Sequence, residues 1–275
     1  MARLAPDGTL AWQQAFPLPD TDENYGGIPA EDPSGRIYVA SLLPREGLGD
    51  DVRLLALEAD GALRWDRALG EPGHDGATAL RVDATGLWLT GQTDHAEFHN
   101  CAGWLVQVAH DGTLVRQTAY NGGGCDATID LLPVGDGRIL LGNLDTSEAV
   151  GIPHYRVWLL SVLADGSVRR ELALTVGERT FPSALAVLGA DLVVVGRIEP
   201  AEAPADYDSF VARVNLDLEE PPDCAAFAPV ATRSSPTAVP MRELASRPSP
   251  TAWTLGAAAA EPRAVEVPAR WECGP

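Results

Sequence analysis

The sequence predicts an all-β protein built from repeated antiparallel units, and two observations support that prediction. An Asp-Gly pair recurs at Asp7-Gly8, Asp60-Gly61, Asp111-Gly112 and Asp165-Gly166. The steps are nearly constant, at 60−7 = 53, 111−60 = 51 and 165−111 = 54 residues. Short runs rich in Val, Leu and Ile separate the pairs, and no longer stretch shows the 3.6-residue period of a helix. A period of this length is typical of repeated supersecondary units.

Each full repeat contains four predicted strands. These cover residues 52–58, 62–68, 77–83 and 87–92, then 103–109, 113–120, 127–132 and 138–143, then 157–163, 167–174, 183–188 and 192–197. The first unit opens with only two strands, over residues 3–6 and 9–16, and a fifth unit begins at Phe210. The units therefore start near residues 2, 52, 103, 157 and 210, and together they fill residues 1–218.

Tight turns join the strands of each unit. The Asp-Gly pairs predict hairpin turns whose central residues have positive φ, which Asp and Gly tolerate best. A second class of turn follows the third strand, at residues 32–35, 83–86, 135–137 and 189–191. Four-stranded units of this size fit the blades of a β-propeller, in which each blade buries its faces against two neighbours. The alternative is a β-solenoid, although solenoid coils usually span only about 20–30 residues.

The phrase around the Asp-Gly pair resembles the repeats of a known group of proteins. The pattern Leu-x-x-Leu-x-Ala-Asp-Gly-x-Leu-x-Trp ends at Trp65, and Trp12 holds the same position in the first unit. It is similar to repeats of bacterial extracytoplasmic propellers, including quinoprotein-like (PQQ-like) and related long-repeat secreted families. The later units have lost the Trp, since Val115-Arg116 and Arg169-Arg170 stand there. The resemblance covers residues 2–217 and implies a propeller fold, but no set of catalytic residues.

The tail, residues 219–275, is rich in Pro and Ala and has weak periodicity. It spans 275−219+1 = 57 residues, about one repeat, and the first unit lacks two strands. We therefore expect tail strands near residues 225–230, 252–258 and 264–271 to finish the fourth blade and to pair with the N-terminus. That arrangement gives a closed ring of five blades without a free sheet edge. The alternative is a Pro-rich tail that lies over the outside of the ring.

The composition restricts the partners. The net charge is −19, all 20 basic residues are Arg, and hydrophobic residues make up 45% of the chain, enough for a packed core. Binding to nucleic acid needs clustered cations, so this balance argues against it. No apolar run reaches the ~18 residues of a membrane span. Met1 leads directly into the first repeat, so the chain shows no signal peptide.

The four cysteines suggest two disulfide bonds, Cys101 with Cys125 and Cys224 with Cys273. Free buried thiols are the alternative. A thiolate zinc site is not expected, because no Cys-x-x-Cys spacing is present. Disulfide bonds predict an extracellular, periplasmic or cell-surface location.

Long connections are expected at one end of the units, which we call the long-loop face. It comprises residues 17–26, 44–51, 70–76, 93–102, 121–126, 144–156, 175–182 and 198–209. Four of the five His residues and many carboxylates fall in these segments. Long loops at one end of a rigid scaffold are where binding usually occurs.

The densest group of potential metal ligands is Asp94, His95 and His99. On a short helical turn the two His side chains would share a face, and imidazole with carboxylate suits zinc or copper. His74 and Asp75 precede a third strand and could line a central funnel. A solvated loop with scattered His is the alternative for this group.

Two further acidic features have structural or metal-binding interpretations. Asp75 and Asp126 occupy equivalent positions, and we expect their carboxylates to link neighbouring blades through hydrogen bonds to backbone amides. Residues 20–24 alternate oxygen ligands in a way that suits Ca²⁺, but they lack the Gly and distal Glu of the twelve-residue calcium loop.

These features predict a secreted or cell-surface binding module or scaffold, with a protein or glycan partner at the acidic long-loop face. Such a protein would be a monomer or one component of a larger assembly. The alternative is a metal-dependent or polysaccharide-acting enzyme with its site in the central funnel. The sequence contains no Gly-x-Ser-x-Gly, His-Glu-x-x-His or P-loop motif. Convergence of several ionisable groups in one pocket would favour the enzyme.

Overall fold

Strands make up all of the regular secondary structure in the described part of the chain, which confirms the all-β class. A computed structural model describes residues 1–17, 26–70, 72–95, 100–147, 154–175, 179–199, 207–219, 226–228, 230–236, 240–244 and 249–250. Every strand predicted in the three full units is observed, with ends that differ by four residues at most.

The described residues contain 22 strands, numbered β1 to β22 in chain order. They cover Ala2–Leu4, Leu10–Ala15, Gly27–Glu31, Ile37–Arg45, Gly49–Leu57, Leu63–Leu69, Gly73–His74, Gly76–Asp83, Gly86–His95, Asn100–Val108, Leu114–Asn121, Ala127–Val134, Gly137–Asp145, Tyr155–Val162, Val168–Leu174, Arg179–Leu188, Asp191–Glu199, Asp208–Asn215, Phe227–Ala228, Arg233–Pro236, Met241–Glu243 and Ser249–Pro250.

These strands form five sheets in the described residues, which we number in chain order. Sheet 1 contains β1, β2 and β22; sheet 2 contains β3 to β6 and β21; sheet 3 contains β8 to β11 and β20; sheet 4 contains β12 to β15 and β19; sheet 5 contains β16 to β18. All pairings are antiparallel except that of the short β7 with β5. Each of sheets 3 and 4 joins the last two strands of one sequence unit to the first two of the next. The sheet boundaries are therefore offset from the sequence repeats by half a unit.

Consecutive sheets pack face to face, because hydrophobic clusters fill the four junctions between them. Between sheets 1 and 2, Trp12 and Phe16 pack against Val39 and Leu55; between sheets 2 and 3, Tyr38 and Leu54 pack with Leu89 and Trp104. Between sheets 3 and 4, Trp88 and Leu105 pack with Leu140 and Trp158; between sheets 4 and 5, Ile139 and Leu159 pack with Val194 and Phe210. The first strands of sheets 2 to 5 also lie next to one another in chain order. Each of sheets 2 to 4 thus buries one face against its predecessor and the other against its successor.

The Asp-Gly turns differ from the prediction in one respect. Only the glycines have positive φ, between 83° and 90°, and the Asp residues do not. The strand pairing skips one residue three positions after each Gly, at Ala11, Arg64, Val115 and Arg169, which identifies a bulge there. Within the turn, the residue three before the Gly accepts a hydrogen bond from the Gly N–H and donates one to the carbonyl of the residue after the Gly, as Ala5 does with Gly8 and Thr9. The turn is therefore a three-residue hairpin loop rather than one with two positive-φ residues.

At the second and third of these turns the glycine is also required by the sheet before it. The Trp12 ring lies against Gly61 and its Nε1 donates a hydrogen bond of 3.0 Å to the Ala59 carbonyl. Trp65 repeats both contacts one unit later, against Gly112 and with a 3.1 Å bond to the carbonyl before Asp111. In the third unit the guanidinium of Arg116 donates to the Ala164 carbonyl. The residue four positions after the Gly of these turns thus links its sheet to the next one, and Arg116 makes this hydrogen bond in the unit that has no Trp there.

A fifth turn of this class was missed in the sequence because it contains no Gly. Leu218 has a φ of 53°, and its N–H donates to the Asn215 carbonyl, as Gly166 does to Leu163. Asp217 and Leu218 therefore occupy the positions of Asp165 and Gly166. Leu218 is buried in the cluster between sheets 4 and 5, and this packing offsets its unfavourable backbone conformation.

The tail follows a path that the sequence did not predict. Its strands β19, β20, β21 and β22 add to the outer edges of sheets 4, 3, 2 and 1, in reverse chain order. The expected strand near residues 225–230 is observed as β19, which pairs with β15 and so adds to the fourth sheet, as predicted. The tail does reach the N-terminal sheet through β22. The predicted strands at 252–258 and 264–271 lie outside the described residues.

Replacement of Gly61 by Ala tests the link between sheets 1 and 2. The Cβ would lie 2.9 Å from the Trp12 ring, at a φ of 90° that already disfavours Ala. Gly8→Ala is the matched control, since its φ is 83° and no atom lies within 4 Å of the added carbon. We expect a loss of about 1 kcal/mol in unfolding free energy for Gly8→Ala and at least about 2 kcal/mol for Gly61→Ala, measured by urea denaturation. Equal losses would contradict the contact.

Candidate functional site

Two segments of the predicted long-loop face are shorter than the sequence suggested. Residues 44–51 form a tight hairpin, because β4 continues to Arg45 and β5 begins at Gly49. Strand β9 extends through His95, which pairs with Asn100 at the start of β10. Asp94 and His95 therefore belong to a strand, whereas residues 96–99, over which a helical turn would bring His95 and His99 onto one face, lie outside the described residues. The His95 side chain and all of His99 lie outside the described residues.

His74 lies between two carboxylates of different strands. Its Nδ1 is 3.1 Å from Oδ2 of Asp50, and its backbone N–H donates a 2.9 Å hydrogen bond to Oδ2 of Asp94. Pairing of β7 with β5 positions this segment. The structure thus brings together two residues of the predicted metal set, His74 and Asp94, and adds Asp50. The imidazole is 69% exposed, so it is open to a ligand at this face.

Asp75 is buried and has a structural role. Its Oδ1 accepts a 2.5 Å hydrogen bond from the Thr93 hydroxyl within sheet 3. Its backbone N–H donates to the Asp50 carbonyl of sheet 2, at 2.7 Å. Asp75 thus contacts sheet 2 through its main chain and Thr93 of sheet 3 through its carboxylate.

Asp126 makes the link that the sequence predicted. Its two carboxylate oxygens accept hydrogen bonds from the backbone N–H groups of Gly122, at 2.6 Å, and Asp145, at 2.8 Å. Its own N–H donates to the Cys101 carbonyl at 3.3 Å. These bonds tie the connection between sheets 3 and 4 to strands of both sheets. The side chain is fully buried, and burial raises the pKa of Asp126 to about 6, assisted by the charge of Asp145.

A disulfide bond between Cys101 and Cys125 braces the same place, as predicted. Cys101 lies near the start of β10 in sheet 3, and Cys125 precedes β12 of sheet 4. Asp145 adds to this group by accepting hydrogen bonds from the N–H and hydroxyl of Ser147. The second predicted pair, Cys224 and Cys273, lies outside the described residues.

Buried ion pairs at this end were missed in the sequence. Asp51 is fully buried, and its carboxylate lies 3.3 Å from Arg45 and 2.6 Å from Arg242 of the tail strand β21. Arg53 and Asp66 form a second pair at 2.8 Å. The available signal was an Arg in the middle of the apolar strand 52–58, since a buried charge needs a partner. No comparable pattern in the sequence indicates that Arg242 of the tail pairs with Asp51.

The described residues contain no group of three or more His, Cys, Asp or Glu side chains placed to hold a metal ion. The predicted metal set of His95, His99, Asp94, His74 and Asp75 includes two side chains beyond that part of the chain, so the site stays a prediction. The Ca²⁺ site suggested for residues 20–24 also stays a prediction, because these residues lie outside the described part of the chain.

The chain matches no protein-family model and no curated protein. Its resemblance to extracytoplasmic propellers therefore stays a prediction from the repeated phrase. Where the structure describes the chain, it contains no helix with the length and apolar character needed to cross a bilayer.

Asp126 predicts a pH dependence of stability. Its pKa of about 6 exceeds the ~3.9 of an exposed Asp, so between these values the folded protein holds a proton that the unfolded chain releases. The unfolding free energy should therefore fall as pH rises from about 4 to about 6, by up to about 3 kcal/mol. Asp126→Asn should lack this component in urea titrations across that range. Asp136→Asn, at an exposed turn, should retain it. Parallel profiles of the wild-type protein and Asp126→Asn would contradict the shift.

Proposed function

We propose that the chain is a five-bladed β-propeller that acts as a secreted or cell-surface binding module. Its long-loop face would bind a protein or glycan partner. One observation supports this most strongly: three cross-links hold the strands beneath that face. They are buried Asp126 with its backbone donors, the Cys101–Cys125 disulfide bond, and buried Asp51 with two guanidinium groups. A rigid base lowers the entropy lost when loops bind a partner.

The charge of the face favours a cationic protein surface over an anionic ligand. Asp50 and Asp94 are partly exposed beside His74. The whole chain has a net charge of −19, so a long-range negative field accompanies these local carboxylates. Such a field accelerates association with basic partners and repels phosphate backbones.

The proposed location follows from the Cys101–Cys125 bond. Disulfide bonds persist in oxidising compartments and are rare in the cytosol, so the bond is consistent with the periplasm, the cell surface or the extracellular medium.

A second candidate is hydrolysis of a polysaccharide in the same region, favoured by the pair of His74 and Asp50. An imidazole oriented by a carboxylate at Nδ1 can act as a general base through Nε2. Hydrolysis at this site requires a third group that contacts the substrate. The hypothesis predicts that His74→Ala abolishes turnover of any polysaccharide that the wild-type protein hydrolyses.

Variants that each remove one negative charge from the long-loop face test the binding function. The probes are an Arg-rich peptide and a panel of neutral oligosaccharides, presented to the purified full chain and followed by surface plasmon resonance. Replacement of Asp50 and Asp94 by Asn should weaken binding of the peptide roughly two- to fivefold per charge. The control Asp136→Asn, at the opposite end, should bind as the wild-type protein does. Equal weakening by the control, or binding of neither probe, would contradict the proposal, whereas binding of oligosaccharide alone would assign the glycan partner.

A further inference from the structure

Arg197 of β17 is an exposed cation that is held by aromatic rings instead of a carboxylate. Most Arg residues in the described part of this acidic chain form ion pairs with Asp or Glu. Arg197 is exposed and pairs with none of the described carboxylates. Its guanidinium carbon lies 4.9 Å from the ring centre of Phe181 and 4.9 Å from that of Tyr207. Such contacts hold a guanidinium in place without using its N–H donors.

The Phe181 ring is itself fixed by groups from two sheets. Tyr155 of β14 lies against it, with the ring centres 5.5 Å apart, and the Arg179 guanidinium lies 5.7 Å from its centre. Arg179 forms a 2.8 Å ion pair with the buried Glu199. The carboxylate two residues after Arg197 in the same strand therefore already has a cation. The donors of Arg197 are left for a ligand from outside these strands.

The position of Arg197 lies at the rim of the sheets, where a neighbouring sheet does not close it off. Gln92 and Asn143 hold the same position in β9 and β13, each directly after the Gly within its strand. Both lie on the side of the strand that carries Trp88 or Ile139, which pack against the following sheet. Gln92 and Asn143 are nevertheless partly exposed. A side chain as long as Arg at this position therefore reaches solvent whether or not another sheet lies beside it.

A single carboxylate on a protein surface is the ligand that suits this group. The planar guanidinium matches the two oxygens of a carboxylate, and Tyr207, which is 51% exposed, adds an amphipathic ring beside it. Arg and Tyr are enriched among the residues that dominate protein–protein binding energies. An acidic glycan would carry many carboxylates, and the net charge of −19 would repel it. One Asp or Glu within a basic protein surface avoids that repulsion.

We propose that Arg197, supported by Phe181 and Tyr207, binds an Asp or Glu side chain of a protein partner. The inference rests on the proposed function, because Phe181 and Tyr207 belong to the long-loop face, and it selects a protein over a glycan. The partner would place basic residues opposite Asp50 and Asp94 and an acidic residue opposite Arg197. This charge pattern would fix the orientation of the partner, because the reverse orientation brings like charges together.

Paired peptides test this site on the purified full chain by surface plasmon resonance. The probes are an Arg-rich peptide with a single Glu, moved through every position in turn, and the same peptides with Gln in its place. At the best position, Glu should strengthen binding to the wild-type protein roughly three- to tenfold over Gln. Arg197→Gln should abolish this preference. Arg213→Gln should keep it and is the matched control, since Arg213 is exposed in the same sheet but pairs with Asp191 at the opposite end.

Three results would overturn the proposal. The first is equal binding of the Glu and Gln peptides at every position. The second is a preference for Glu that Arg197→Gln retains, since another cation would then bind the carboxylate. The third is Arg197-dependent binding of a trigalacturonate probe in place of the Glu peptides, since the ligand would then be an acidic glycan. If the Arg-rich peptides bind through Asp50 and Asp94 but Glu gives no gain, this inference fails alone. If no peptide binds, the proposed binding of a basic partner fails with it.

Discussion

Burial of both faces of sheets 2 to 4 against their neighbours is the constraint on which this structure depends. No single four-stranded unit encloses a core of its own; the clusters lie between sheets, as at Trp104 against sheet 2 and Trp158 against sheet 3. Repeat proteins of this kind gain stability from nearest-neighbour contacts. The hydrogen bonds from Trp12, Trp65 and Arg116 to the next turn fix the angle at which each sheet meets its successor. The arrangement leaves the two ends of the array as its weak points.

The same constraint explains why polar groups are buried at the long-loop end. There the strands of adjacent sheets diverge into connections, and backbone N–H groups need acceptors that the sheet ladder does not supply. Asp126 accepts two of them, and the Cys101–Cys125 bond holds the connection in place. The raised pKa of Asp126 shows that this rigidity has a cost, because the ionised carboxylate is kept away from water. The proposed binding face would be preorganised by these links.

The sequence was sufficient for the repeat, the strands and one disulfide, because these depend on local pattern. Alternating apolar residues and Asp-Gly pairs indicate the secondary structure of the residues beside them. It was insufficient where the answer depends on distant partners. Nothing near Arg242 shows that it meets Asp51, and the tail strands β20 and β21 are too short and too rich in Ser, Pro and Arg to be recognised. The turn at Leu218 was hidden because tertiary burial replaces the usual Gly. The extension of the β9–β10 pairing to His95 and Asn100 was not predicted, because it depends on contacts across the hairpin.

A double-mutant cycle across one junction tests the central claim that neighbouring sheets share their cores. Leu105 of sheet 3 and Leu140 of sheet 4 belong to one cluster, whereas Val194 belongs to the next. The losses in unfolding free energy from Leu105→Ala and Leu140→Ala should be non-additive, with a coupling of about 0.5 to 3 kcal/mol. Leu105→Ala with Val194→Ala should be additive within about 0.5 kcal/mol. Additive losses in both pairs would mean that the sheets do not share a core, and would contradict this account.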